Sequence, residues 1–311
     1  MLFNLAEQAW DATLLKAFGI PRQILPEVRD CAGAFGEATA DIVGKPLPIT
    51  GMAGDQHAAM VGQACFQPGM IKATYGTGCF MVLNTGTKIV RSKNRMLTTL
   101  AYRLNGEPAY AIEGSIFISG AAIQWLRDGL KIITNAAASA TLAAGIADTG
   151  GVYLVPAFTG LGAPHWDPDA RGAIFGLTRA SGQAELVRAA LEATAYQTRD
   201  LMSCLRADLG EKSKVAPTAL RVDGGMSVND WVMQFVADQV GVPVERPIVT
   251  ETTALGAAFL AALGAGVFTS TADVTKRWKL ERKFAPTKEH KRHDALYAGW
   301  CDAVERTRSA R

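Results

Sequence analysis

The sequence predicts an α/β fold, and three observations agree on it. Short apolar runs that suit strands alternate along the chain with longer stretches at helical spacing. Of 311 residues, 49% are hydrophobic and 20% charged, which allows a sizeable core and excludes bulk disorder. Glycine and proline fall between these runs rather than in tracts, and no period of about 20–50 residues repeats. The length suits one large domain or two ordinary ones.

In order, the first fifty residues suggest a helical segment with exits at Pro21, Pro26, Pro46 and Pro48. Residues 47–75 are apolar and glycine-rich. A strand pair is expected at 72–76 and 80–84, joined through Gly76-Thr77-Gly78, with another strand at 110–113. A helix is expected over 120–129 with Gly129 as its stop, and an alanine-rich helix over 136–144. Buried strands fit 152–157 and 173–177. The longest amphipathic helix runs from 185 to about 206, on a stripe of Val187, Leu191, Ala195, Met202 and Leu205. A strand at 219–222, a turn at Asp223-Gly224-Gly225 and a helix from 228 to 240 follow, with Ser227 opening a capping box. A short strand at 242–245 precedes an alanine-rich helix ending near Gly264. Residues 276–286 look basic and loop-like, and a last helix covers 293–306.

Lysine plus arginine number 32 against 29 acidic residues, a net charge of +3, which leaves no polybasic footprint for nucleic acid or anionic membrane. The five cysteines are odd in number and contain no C-x-x-C pair, which argues against a disulfide framework or zinc knuckle and for a cytoplasmic, reduced protein. Residues 252–272 carry no charge, yet their alanine, threonine and glycine content suits a buried helix rather than a membrane span. The opening residues, with Glu7 and Asp11, do not resemble a signal peptide. His57, His165, His290 and His293 lack metal-ligand spacing. Residues 166–171 suit a structural loop with a local ion pair, and 288–292 a solvated basic face.

The P-loop, dinucleotide-binding and protein-kinase motifs are absent. In their place are glycine turns at strand ends. In Gly76-Thr77-Gly78 the glycines let backbone N–H groups face one concavity and Thr77 adds a hydroxyl. That is a phosphate cradle in principle, though an ordinary hairpin turn looks the same. Gly225 and Asn229, four apart, can pair a bare surface for a flat ring with an amide that both donates and accepts. Gly120 and Gln124 repeat that spacing and those roles, which sets the two pairs above chance small-residue packing. In Gly54-Asp55-Gln56-His57, Asp55 can accept a hydroxyl proton in phosphoryl transfer and Gln56 can hold the substrate. Asp55 equally suits a helix N-cap.

Together these motifs resemble the FGGY carbohydrate kinases. The resemblance spans nearly the whole chain: residues 51–56, 74–80, 120–128, 156–162, 166–176 and 221–225. It includes a stretch like the second family signature, with Gly172, Ile174, Gly176, Leu177, Glu185, Leu186, Ala189 and Glu192. Asp55-Gln56 and residues 156–164 are similar to the branch that phosphorylates glycerol. The resemblance implies an actin-like ATPase (ribonuclease H-like) fold, two α/β domains with the active site between them. It implies ATP-dependent transfer to glycerol, Mg2+ bridging the ATP phosphates, and homo-oligomers among family enzymes. It places Asp55 as catalytic base, Gln56 and Phe80 on glycerol, Thr77 on phosphate, and Gly120, Gln124, Gly225 and Asn229 around the nucleotide.

Set on the family pattern, residues 1–65 match the end of the first, glycerol-side domain. Residues 67–265 match the second, nucleotide-side domain, and 266–311 a tail with a helix. The family's opening phosphate loop and an Arg-Glu pair, a tryptophan and a tyrosine on glycerol have no counterpart in the sequence. The isolated chain is therefore expected to transfer phosphate poorly while binding ADP weakly. The Gly-Gly-x-Arg effector loop is also missing at Gly44-Lys45-Pro46-Leu47, so that regulation is not expected. Two alternatives stay open: a nucleotide-binding fragment or split-enzyme half without its own catalysis, and an FGGY kinase for a sugar such as xylulose, which Asp55-Gln56 and Phe80 disfavour.

Overall fold

A computed structural model describes residues 2–210, 213 and 215–309. The chain opens with two short antiparallel strands, β1 (Phe3–Asn4) and β2 (Ala9–Trp10), and helix α1 (Ala12–Phe18). Strand β3 (Ala32–Ala38), helix α2 (Ala40–Val43) and strand β4 (Leu47–Gly51) follow, β3 and β4 pairing antiparallel. The expected helical opening is thus largely a pair of small β ribbons, whose strands were hidden by glycines at 33 and 36 that break the apolar alternation. Helix α3 (Asp55–Gly62) leads into strands β5 (Ile71–Tyr75), β6 (Cys79–Gly86), β7 (Leu97–Leu104) and β8 (Glu107–Ile116). Helices α4 (Gly120–Gln124) and α5 (Ala136–Ala144) precede an antiparallel ribbon of β9 (Tyr153–Val155) and β10 (Ala173–Phe175). Helix α6 (Gln183–Leu209), strand β11 (Leu220–Asp223), helix α7 (Asp230–Val240) and strand β12 (Val244–Pro247) come next. Helices α8 (Thr252–Gly264) and α9 (Thr271–Arg277), strand β13 (Leu280–Phe284) and helix α10 (His290–Thr307) close the chain.

Seven strands form one mixed sheet in the order β13-β12-β11-β5-β6-β8-β7. β5, β11 and β12 run parallel at its centre, and β6, β8, β7 and β13 continue it antiparallel. Strand alternation sorts its two faces. Ile71, Ala73, Tyr75, Met81, Leu83, Leu220 and Val222 enter the main core, shared with α6 and α7. Val82 meets Met60 and Cys65 of the α3 segment on the opposite face. There α3 crosses α8 at backbone contact: a Cβ on Gly256 would stand 1.7 Å from the Ala58 carbonyl oxygen, so only glycine fits.

Several elements depart from expectation for local reasons. The helix over 120–129 changes pitch at Trp125 and continues as a π-type turn, Trp125–Gly129, with Gly129 packed against the Trp125 ring rather than past the end. Ser227 does not cap α7. Its hydroxyl donates to the Gly224 carbonyl (2.7 Å) within a 3-10 turn, and Asn229 is the cap, accepting from the Val232 N–H at 3.1 Å. Residues 280–284, expected as loop, form the edge strand β13, whose Leu280, Glu281, Arg282 and Lys283 are exposed and so show no apolar alternation. The loop at 166–171 carries no internal ion pair: Arg171 donates to the Pro168 and Ala170 carbonyls, and Asp167 accepts from Asp169, Ala170 and Ser309. Among the described residues no helix is long and apolar enough to cross a membrane.

Candidate active site

In an open α/β sheet, ligands bind outside the carboxyl ends of the parallel strands. β5 ends at Tyr75 and passes into Gly76-Thr77-Gly78; β11 ends at Asp223 and passes into Gly224-Gly225. Both turns open on one cavity of about 1040 Å³, large enough for a nucleotide. All five residues expected at the nucleotide line it: Thr77, Gly120, Gln124, Gly225 and Asn229.

Local geometry explains each of them. The Thr77 carbonyl accepts from Ser119 and Ala121, and the Gly76 carbonyl from Gly120, which seats α4 on the turn. The Thr77 N–H donates to no carbonyl among the described residues, and Thr77 is exposed at the cavity, so this N–H is free for an anion. Gly120 must be glycine: a Cβ there would lie 2.5 Å from the Gly76 oxygen. Gly225 differs, because a Cβ there meets nothing within 4 Å and would enter open space. Asn229 spends its oxygen on the α7 cap, and its amide nitrogen, at the cavity wall, can still donate.

The cavity has walls that sequence reasoning missed. Helix α5 supplies Ala136, Ala137, Ser139 and Ala140, and α7 supplies Trp231. The Trp231 ring stacks on Phe235 at 5.3 Å and lies under the Arg188 guanidinium at 5.0 Å. Arg188 is held by Glu192 at 2.8 Å and bonds the Ala143 carbonyl behind α5. The nearest signal in sequence is that Trp231 stands two residues after Asn229.

Asp55, Gln56 and Phe80 lie apart from that cavity. Asp55 is exposed at the first turn of α3, where Gly54 and not Asp55 takes the cap position. Its Oδ1 accepts from the Gln56 N–H at 2.7 Å. Phe80 is 36% exposed on β6, paired with Thr74 and Ser115. His57, in the same first turn of α3, is held below its ordinary range by burial, with Lys72 acting in the same direction and Asp55 against it. Lys72 is completely buried; its ammonium donates to the Thr74 hydroxyl (2.9 Å) and the Phe80 carbonyl (3.3 Å).

Comparison with known proteins decides the family. The pattern of the FGGY family of carbohydrate kinases, C-terminal domain, matches residues 71–265, and that of its N-terminal domain matches residues 1–62. The chain belongs to the FGGY family of carbohydrate kinases. It is 60% identical over 309 residues to a glycerol kinase of Rhodospirillum rubrum and 58% to glycerol kinase 1 of Pseudomonas aeruginosa. Each alignment takes in 99% of this chain and 62% of the relative, so the chain spans about 62% of their length. Among solved structures, Plasmodium falciparum glycerol kinase with ADP matches with a TM-score of 0.89 at 35% identity, over 100% of this chain and 62% of that one. A xylulose kinase of Lactobacillus acidophilus matches at 0.84 and 21% identity, over 98% of this chain and 62% of that one, a likeness of fold. The family's actin-like fold is the architecture described above.

Proposed function

We propose that the chain carries the nucleotide-binding half and the catalytic carboxylate of an ATP-dependent glycerol kinase, forming sn-glycerol 3-phosphate. The observation that carries this reading is the convergence of Thr77, Gly120, Gln124, Gly225 and Asn229 on one cavity, in a chain about 60% identical to glycerol kinases. In this reading the free amide and the hydroxyl of Thr77 hold the ATP phosphates. Gly225 and Gly120 admit the flat base, and Gln124 and Asn229 hydrogen-bond the nucleoside. Asp55 accepts the proton of the attacking glycerol hydroxyl as its oxygen bonds the γ-phosphorus and ADP departs. Gln56 and Phe80 contact the glycerol.

Mg2+ is usually held on substrate phosphates and water rather than in a protein cage. The ion would neutralise phosphate charge, and this chain's part is the Gly76–Thr77–Gly78 turn that holds those phosphates. Five unpaired cysteines fit a cytoplasmic setting.

The test is a coupled assay of ADP release with glycerol, alongside xylulose and no acceptor, and calorimetric titration with ADP. Glycerol-dependent turnover that is lost on Asp55→Asn supports the reading. Xylulose-dependent turnover would reassign the substrate. ADP binding with no acceptor-dependent turnover would favour the non-catalytic alternative, which the separation of Asp55, Gln56 and Phe80 from the cavity also fits.

A further inference from the structure

One polar chain runs through the interior beneath the site and is absorbed by none of the roles above. It lies on the sheet face covered by α3. Lys72 has no exposed surface, and its Nζ donates to Thr74 Oγ1 (2.9 Å) on the entering side of the Gly76-Thr77-Gly78 turn and to the Phe80 carbonyl (3.3 Å) on its leaving side. Thr74 stands beside Asp223 in the parallel β5–β11 register. Asp223 is 1% exposed and immediately precedes Gly224-Gly225. Its Oδ2 accepts from Gln63 Nε2 at 2.7 Å, and Gln63 Oε1 accepts from Trp278 Nε1 at 2.8 Å. Gln63 is the residue that ends α3, the helix that begins with Asp55, and its carbonyl accepts from Arg221.

Burial alone would favour the neutral forms of both Lys72 and Asp223. Each is the other's strongest opposing influence, and Thr74 and Gln63 further stabilise the carboxylate. Two mutually dependent charges sealed in a core are a costly way to fill space. Their placement gives a reason: the pair touches the phosphate turn on both sides, the nucleoside turn at its root and the end of the Asp55 helix.

We propose that Lys72, Thr74, Asp223 and Gln63 form a positioning chain that fixes the separation between the phosphate-binding and nucleoside-binding turns. It lets one nucleotide engage both turns at once. The proposal rests on the nucleotide reading of the cavity and is independent of glycerol as acceptor.

A purely structural pair and a positioning pair differ in one measurable way. Replacing one charge strands the other, whereas Lys72→Met with Asp223→Asn removes both and keeps the volumes and the Gln63 bond. The proposal expects that double variant to melt within a few degrees of wild type. Its ADP affinity should weaken at least about tenfold while adenosine affinity changes less than about twofold, because only a ligand spanning both turns senses their spacing. A folded double variant with the wild-type ratio of ADP to adenosine affinity overturns the proposal. Thr74→Val, which removes the bridging hydroxyl without changing charge, is the second variant should the double one fail to fold. It should lower the same ratio and Thr74→Ser should restore it; an unchanged ratio in Thr74→Val also overturns the proposal. Wild-type chain that binds no ADP overturns both this proposal and the nucleotide reading. Bound ADP without glycerol turnover favours the non-catalytic alternative and leaves this measurement intact.

Discussion

The two sides of the candidate site are built differently. The proposed nucleotide side is a concavity resting on the main core, with α6 behind it and α4, α5 and α7 around it. The acceptor side is an open face at the start of α3. Of residues 2–54, which precede it, only Leu15 is buried. Binding strength should therefore reside in the nucleotide side. In the proposed function the acceptor side supplies chemistry from a single exposed carboxylate, Asp55. Substitutions on one side should alter affinity and those on the other should alter rate.

The largest effect tests that division directly. Asp55→Asn keeps the shape and removes the proposed proton acceptor, so whatever glycerol-dependent turnover the chain has should fall about 10²–10⁴-fold. ADP affinity, measured by titration calorimetry, should stay within twofold of wild type. A parallel loss of ADP affinity would mean that Asp55 serves the cavity and that the two sides are not separable.

Next in size is a pH effect on the unit that supports the cavity. Asp200 of α6 lies under α10, accepting from Tyr297 and from Trp300 Nε1 at 3.0 Å, and burial pushes its carboxyl from 3.8 up to about 6. The folded chain thus keeps a proton that the unfolded chain releases between about pH 4 and pH 6. Stability falls as pH rises through that window and levels off above it. Two pKa units correspond to about 3 kcal/mol. Urea melts of wild type and Asp200→Asn at pH 4, 5, 6 and 7 check this. The wild-type stability, less that of the variant, should decline by roughly that amount and then stay flat.

Gly225→Val gives a smaller effect confined to one wall. A side chain there enters open space, so the melting temperature should hold while KM for ATP rises at least about tenfold. Gly120→Ala is its counterpart. Its Cβ meets the Gly76 oxygen, so stability should fall by about 1–3 kcal/mol along with affinity. Equal melting temperatures for the two variants would contradict the wall geometry.

These glycines also show what was legible. Thr77, Gly120, Gln124, Gly225 and Asn229 could be named from sequence because turn glycines and an i, i+4 amide are local signals. The α5 wall and Trp231 could not, since nothing within nine or ten residues says that α6 and Arg188 will press them together. Lys72 was hidden for a similar reason. In Ile71-Lys72-Ala73-Thr74-Tyr75 it resembles the solvent face of a half-buried strand, and only α3, laid over that face, makes it a sealed charge. β13 escaped because its edge position leaves four of five residues exposed.

The smallest effect asks whether the first segment is coupled to the cavity at all. Asp11 caps α1, its Oδ1 accepting from the N–H groups of Thr13 and Leu14 at 2.9 and 3.0 Å. Asp11→Ala strands those donors at a helix end that buries only Leu15, so the loss should appear as local fraying. Amide exchange across residues 12–18 should quicken by roughly fivefold. Exchange in α6 and α7, and ADP affinity, should not move, since α1 makes no wall of the cavity. Two routes exist by which they could: the β3–β4 ribbon packs on α8, which crosses α3 at Gly256, and Leu5 and Asp30 bond Tyr110 and Arg103 of the β7–β8 hairpin. A change in ADP affinity in this variant would mean that strain in the opening segment travels through one of these contacts to the turns above the sheet. The division between a binding side and a chemical side would then be one of degree.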